Sequence, residues 1–235
     1  MKKFSRRSDA PEIMDDLNFD DPVIFQTLKE IDIINRYLGG NRITLDALNK
    51  VLRQVNSYQA ITIGDLGCGS GDSLRQISGF LQHRNHTAKL IGLDANPHII
   101  RYAKENTPDS MLIEYKTVNI LAAEFSKSRF DIATATLFFH HFTDQQLVSI
   151  LKTLRQQVRV AIIINDLHRH WLAYYSIKWL TGVFSRSYMV QYDACLSVLR
   201  AFNKKELERI IKAAGFTSYS IEWKWAFRFQ IILWC

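Results

Sequence analysis

Among its 235 residues the sequence has three cysteines, Cys68, Cys195 and Cys235, and four prolines. The cysteines are odd in number, widely spaced and free of C-x-x-C pairing. That argues against a disulfide framework or a structural zinc site and for a reducing, cytoplasmic setting. No apolar run approaches the roughly 18–20 residues of a membrane span. The charged start Met1-Lys2-Lys3-Phe4-Ser5-Arg6-Arg7 leads into no apolar signal core. Gly-Lys-Ser and Gly-Lys-Thr are both missing, so a phosphate-binding loop of that type is excluded. Internal repeats and low-complexity segments are absent too. The formal net charge is +7, but the basic residues are scattered. A solvated surface explains them best, ahead of a peripheral membrane contact, with RNA third. A chain of this length forms one large domain that buries its core without covalent staples.

What the sequence does have is a strand that ends in a glycine loop, Ile61-Thr62-Ile63-Gly64-Asp65-Leu66-Gly67-Cys68-Gly69-Ser70-Gly71-Asp72. Glycine permits positive φ and removes the Cβ that would hold a ligand off the backbone. A strand turning through such a loop into a helix builds a nucleotide-type cofactor site at the strand's carboxyl end. A dinucleotide fingerprint would need glycine where Asp72 stands. The acid before the loop, Asp65, suits a cationic ligand better than a pyrophosphate. A second strand pattern, Ala88 to Leu93, delivers Asp94 about 20 residues past the glycines, where a carboxylate is placed to accept from ribose hydroxyls.

The periodicity predicts alternating strands and helices from residue 60 onward, hence a mostly parallel sheet covered on both faces. Strands are expected at 60–66, 88–94, 111–118, 131–137 and 158–164, with a terminal hairpin over 217–223 and 226–234. Thr143 with Gln146, and Asn203 with Glu206, read as capping boxes. Ahead of this core, residues 1–21 read as an irregular arm. Asp21-Pro22 starts a helix carrying Ile24, Leu28, Ile31 and Leu38 that Gly39-Gly40 ends, and Thr44 caps a second with Leu45, Leu48, Leu52 and Val55 inward. The division expected is 1–57 for the arm and two covering helices and 58–235 for the catalytic unit.

The run Asp65-Leu66-Gly67-Cys68-Gly69-Ser70-Gly71 resembles the first motif of the class I S-adenosylmethionine-dependent methyltransferases. Over residues 60–235 this resemblance implies an α/β, Rossmann-like fold with seven strands in the order 3-2-1-4-5-7-6, the last antiparallel. It implies S-adenosyl-L-methionine held by Asp65, Gly67, Cys68, Gly69, Gly71, Asp94, Ala95, Asn119, Ile120 and Leu137. Where the family often has an acid for the adenine amino group, this chain has Asn119, whose amide oxygen can accept the same bond. Ile120 reads equally as adenine wall and as core. No proline follows strand four and no Pro-Cys occurs, which sets aside the signatures of base amino-group and cytosine C5 methylation. The chain also lacks the acid and Asp-Asn pair of metal-dependent catechol enzymes, carrying Phe138-Phe139-His140-His141 and the reversed Asn165-Asp166, so no metal is expected. A finer resemblance, to small bacterial methyltransferases of the ubiquinone/menaquinone-biosynthesis type and those beside type III polyketide synthases and aryl-lipid pathways, rests on Arg6 to Asp16, Asn35 to Gly40 and Asn165 to Arg169. It implies a small phenolic, quinonoid or polyketide-derived aromatic acceptor and O-methylation. A C-methyltransferase, an RNA methyltransferase and a silent cofactor-binding protein are the alternatives.

Ligands in such folds sit beyond the carboxyl ends of the strands. His140 or His141, with Asp166 and His168 in support, are therefore the candidates for a general base that deprotonates a hydroxyl. The competing readings are that the two histidines only pack beneath the cofactor and that Asp166 merely caps the next helix. The aromatic stretch from Trp171 to Phe184 is either a buried helix, a pocket wall or a membrane-surface segment.

Overall fold

In a computed structural model of the protein, which describes residues 2–17, 23–54 and 60–235, one seven-stranded sheet organises the chain. Its strands are β1 (Ile61–Leu66), β2 (Ala88–Asp94), β3 (Ile113–Thr117), β4 (Phe130–Thr136), β5 (Val158–Leu167), β6 (Tyr219–Lys224) and β7 (Arg228–Trp234). They lie in the order β3-β2-β1-β4-β5-β7-β6. Every pairing from β3 to β5 is parallel, and β7 runs antiparallel to both β5 and β6. The expected order and the antiparallel last strand are both found.

Eight α-helices accompany the sheet among the described residues: α1 (Val23–Tyr37), α2 (Gly40–Leu52), α3 (Asp72–Gln82), α4 (Pro97–Glu105), α5 (Asp144–Gln157), α6 (Trp171–Phe184), α7 (Tyr188–Arg200) and α8 (Lys204–Ala213). Alternation along the central strands feeds two cores. Ile63, Ile132 and Ile163 face α2 and α3 through Leu48, Val51, Leu74 and Ile77. Ala133, Ile162 and Ile231 face α5 and α8 through Leu147, Leu151, Leu207 and Ile210. Each such fully buried branched side chain contributes roughly 1.5–3 kcal/mol, so the central strands are the rigid platform on which the loops at their carboxyl ends are mounted. Both capping boxes form, Thr143 with Gln146 and Asn203 with Glu206.

Several expectations need correction. Thr44 is not a cap: α2 begins at Gly40, after Gly39 in the left-handed region (φ 69°). Thr44 is buried one turn inside, and its hydroxyl meets Thr136 and Asn165. β5 continues three residues beyond Ile164, because Asn165, Asp166 and Leu167 pair with Gln230, Phe229 and Arg228 of β7. α7 had no counterpart in the periodicity; it buries Met189, Val190, Asp193, Leu196, Val198 and Arg200 on more than one side, which blurs any single apolar stripe. Asp21, Pro22 and Val55 lie outside the described residues. No helix is long and apolar enough to cross a membrane among the described residues.

Candidate functional site

The loop between β1 and α3 carries Gly67, Gly69 and Gly71, all at positive φ. Two of these positions are closed to any side chain. A Cβ on Gly67 would fall 2.1 Å from the Phe138 ring, and one on Gly71 would fall 2.2 Å from the Tyr115 hydroxyl. Gly71 thus packs against Tyr115 and sets the turn into α3, while Gly67, Cys68 and Gly69 face a cavity of 1240 Å³. That volume exceeds the roughly 300–1,000 Å³ of an ordinary small-molecule site, so the cavity has room for two ligands side by side.

Of the ten positions singled out for the cofactor, nine line this cavity: Asp65, Gly67, Cys68, Gly69, Asp94, Ala95, Asn119, Ile120 and Leu137. Gly71 does not. Asp65 is buried at the end of β1, accepts from the Thr134 hydroxyl at 2.6 Å and is pushed up to about 7, first by burial and then by the charge of Asp94. Asp94 accepts from the Gly69 and Asn96 amides, and burial raises its carboxyl as well. Asn119 already spends one lone pair of its amide oxygen on the Leu121 amide. Leu137 is held at φ 53°, with its N–H donated to the Asn165 carbonyl; a non-glycine residue so placed stores strain where β4 releases the chain. Burial lifts the Cys68 thiol well above its usual range, which marks it as packing rather than a nucleophile.

Across from the loop, the cavity wall is built by parts of the chain that precede and follow the sheet core. α1 contributes Asp32, whose carboxylate accepts from the Ser70 hydroxyl at 2.7 Å and is raised to about 6 by burial and by Asp72. Tyr175, Trp179, Trp223, Trp225 and Phe227 come from α6 and the β6–β7 hairpin. α6 is not the buried helix of one reading: Trp171, Tyr175, Trp179 and Phe184 are all exposed, and Tyr175 and Trp179 form the cavity rim.

The arm is irregular yet anchored. Arg7 donates to the carbonyls of His140, Phe142 and Arg200 and pairs with Asp144 at 2.8 Å. This pins the following acids over the end of β4. His141 Nδ1 lies 2.6 Å from Asp15, and His140 Nδ1 lies 2.7 Å from Asp166. The two imidazoles lie with centroids 4.3 Å apart, tilted by 32°. Burial works against ionised Asp166 and Asp15, but His140 outweighs it for the first, and His141 with Arg200 for the second. Both carboxyls are held below their usual range. Glu12 is the opposite case. Burial pushes it to about 7, only partly offset by His141, Ser197 and Arg200. Glu12, His140 and His141 bring potential metal-ligand atoms within 4.8 Å of one another. The Arg200 guanidinium lies 3.7 Å from the same Glu12 oxygen, and its fixed charge opposes a cation there.

The four residues nominated for proton transfer do not converge. His140 and His141 line the cavity; Asp166 reaches it only through His140; His168 is outside. Strand alternation sends His168 to the face opposite Leu167, against Phe229 and the ring of His170. Nor does Asp166 cap α6, whose cap is the His170 side chain.

Residues 63–160 match a family described as Methyltransferase domain. The plantazolicin methyltransferase BpumL, solved with SAH and a triazolic desmethylPZN analog, superimposes with a TM-score of 0.68 over 88% of this chain and 89% of its own, at 16% identity. The chain thus has the fold of that solved methyltransferase, and its residues 63–160 match a methyltransferase domain. The carboxy-S-adenosyl-L-methionine synthase of Sulfurimonas denitrificans is 26% identical over 172 residues, 69% of this chain and 72% of that protein. An uncharacterized methyltransferase, sll0829, of Synechocystis sp. (strain ATCC 27184 / PCC 6803 / Kazusa) is 28% identical over 124 residues, 51% of this chain. The alignment spans about half of that cyanobacterial protein, 54%. A family match confined to 63–160 takes in the glycine loop, Asp94 and both histidines but neither the arm nor the hairpin. Glu12, Asp15, Asp32 and Arg228 were not singled out for chemistry from sequence. Glu12 and Asp15 sit three apart, which reads as an ordinary capping pair, and they do form one.

Proposed function

We propose that the protein transfers a methyl group from S-adenosylmethionine to a hydroxyl of a small, apolar aromatic acceptor. The observation that carries this reading is the single large cavity with two unlike halves. One half is the glycine loop ringed by Asp32, Asp65 and Asp94, three carboxyls raised by burial. Such groups favour a cationic ligand, which restores their charged form. The other half is lined by the aromatic residues of α6 and the hairpin. S-adenosylmethionine fits the first half: Gly67 and Gly69 leave the backbone open, Asp94 faces ribose hydroxyls, and Ile120 and Asn119 border the adenine. It supplies an electrophilic methyl on a sulfonium.

The chain's own task is alignment, with effective molarities of up to ~10⁵–10⁸ M available from holding two reactants in line. His141 is the general base in this reading. Asp15 fixes its Nδ1, so its Nε2 takes the acceptor proton; His140, held by Asp166, buttresses it from behind. Residues 1–57 serve as the lid and pocket wall over a catalytic unit of 58–235, working in the cytoplasm, and the three free cysteines agree with a reducing compartment. Solved neighbours of the same fold include a carbon methyltransferase and a magnesium protoporphyrin IX methyltransferase. The fold therefore does not select the methylated atom; the two carboxylate-held histidines favour a hydroxyl.

Calorimetry with S-adenosylmethionine and turnover on a panel of phenols, read by mass spectrometry, test the assignment. A phenol pKa near 10 makes a base useful at neutral pH. His141→Ala should keep donor affinity yet lose about 10²-fold or more in turnover, recovered partly as the pH rises. Absence of donor binding at millimolar concentration ends the reading. A wild-type rate in His141→Ala leaves alignment alone as the mechanism.

A further inference from the structure

Arg228 opens β7 and is almost wholly buried, at 2% exposure, yet it borders the cavity. Alternation along β7 puts it on the same face as Gln230, whose side chain bonds the Ile43 carbonyl of α2. The guanidinium fits beneath the α1–α2 joint because Gly40 has no side chain. A Cβ there would fall 3.1 Å from the Arg228 guanidinium carbon. Its Nε and Nη1 are buried and have no hydrogen-bond partner among the described residues. The charge of Asp166 reaches it electrostatically, but strand alternation points that carboxylate to the other face of the sheet. There it is taken up by the His140 ring and amide and the Leu167 amide. Asn35 Oδ1, also unpartnered, lies at the same joint, but a neutral amide cannot balance a guanidinium. A buried cation with two unpartnered nitrogens, on a residue that lines a ligand cavity, is the half of an ion pair that a ligand completes.

We propose that the acceptor is an acid and that Arg228 binds its carboxylate. The proposal rests on the methyl-transfer reading above and names the substrate class for it. A carboxylate matches the planar fork of a guanidinium with two parallel hydrogen bonds. The other carboxylate that could enter the cavity is the donor's own. The strand order argues against it: β7 stands three strands from β1, roughly 14 Å at the usual spacing. The donor's ribose and adenine point the opposite way, toward Asp94 on β2 and Asn119 after β3. An apolar aromatic body against the tryptophans with one anionic end on Arg228 accounts for both the walls and the unpartnered nitrogens of Arg228.

The test is calorimetry on the full chain saturated with S-adenosylhomocysteine, using a panel of hydroxynaphthoic and alkyl-salicylic acids and the matching neutral amides. Donor affinity and melting temperature are measured in parallel. The wild type should bind at least one acid more tightly than its amide. Arg228→Met should weaken that acid tenfold or more, leave amide and donor affinities within about twofold, and melt no lower than wild type. Arg228→Lys should retain part of the preference. The proposal is overturned if acids and amides bind alike, if no acid binds at millimolar concentration, or if Arg228→Met loses the donor instead. It is equally overturned if Arg228→Met melts lower and loses all ligands together, which would make Arg228 structural. Failure of the wild type to bind the donor at all would instead sink the methyl-transfer reading, since none of the acid–amide comparisons depends on turnover.

Discussion

Donor binding should be coupled to a proton on Asp65. Its carboxyl is raised from 3.8 to about 7, chiefly by burial at the end of β1 and then by Asp94, against the opposing hydrogen bond from Thr134. Between those two values the folded chain keeps a proton that the unfolded chain has lost, so ligand-free stability falls as pH climbs through that window. A cationic ligand against the carboxylate reverses this by holding Asp65 ionised. With a pKa of about 7, roughly one molecule in eleven is ionised at pH 6 and half at pH 7, so affinity should rise about fivefold between them. The donor's own α-amino group titrates near ~7.7–8.0, which makes pH 6 to 7 the clean interval. Calorimetry at pH 6 in buffers of different ionisation enthalpy should show release of about 0.9 proton per donor bound, falling to about half a proton at pH 7. Asp65→Asn should bind more weakly, with flat pH dependence and no proton release. A wild-type affinity that is flat over this interval, with no proton exchanged, refutes the placement of positive charge beside Asp65.

Glu12→Gln should remove a second, separate pH dependence. Glu12 rises from 4.5 to about 7 on folding, so its burial destabilises the chain progressively as pH rises through that range. Urea unfolding at pH 5 and pH 8 should show the difference shrinking in the variant by up to about 3 kcal/mol; an unchanged difference refutes the assignment. Gly71→Ala combines a left-handed backbone, φ 80°, with a Cβ placed 2.2 Å from the Tyr115 hydroxyl. It should cost about 2 kcal/mol or more, relieved in part by Tyr115→Phe, and a fully stable variant would show that the loop can open without loss.

The sheet was legible because its signals are local. A β-branched run, an acid and spaced glycines each state one backbone requirement, and β1, β2 and β4 obey them within a residue or so. The capping boxes were readable for the same reason, since a side chain three residues away satisfies an amide. Thr44 misled because a threonine before an apolar run looks like a cap, whereas its hydroxyl serves a tertiary contact with Thr136 and Asn165. α7 was invisible because it is gripped from several sides, by the arm through Asp193 and by the β4 end through Arg200. The site divides along the same line. Asp65, Asp94 and the glycines are near neighbours of the motif. Glu12, Asp15 and Arg228 reach the cavity only through contacts spanning more than a hundred residues, which no spacing rule records.

That division has an energetic counterpart. The sheet core is built mostly of branched apolar residues that leave little to rearrange. The cavity, by contrast, concentrates what folding disfavours: raised carboxyls at Glu12, Asp32 and Asp65, a strained Leu137, and an Arg228 with unanswered N–H groups. Each charged group among these would be cheaper as an apolar or neutral residue, and Leu137 as glycine, if stability alone were at stake. Their signs are not random. The acids surround the glycine loop, and the Arg228 guanidinium, with nitrogens unpartnered among the described residues, sits three strands away among aromatic walls. A positive ligand at one end and a negative one at the other would relieve both costs at once, so the two ligands should stabilise the fold more than either does alone. Thermal unfolding with S-adenosylmethionine, with an aromatic acid and with both would reveal this. A melting shift for the pair larger than either separate shift is expected, and a pair that shifts no further than the donor alone would refute the shared cavity.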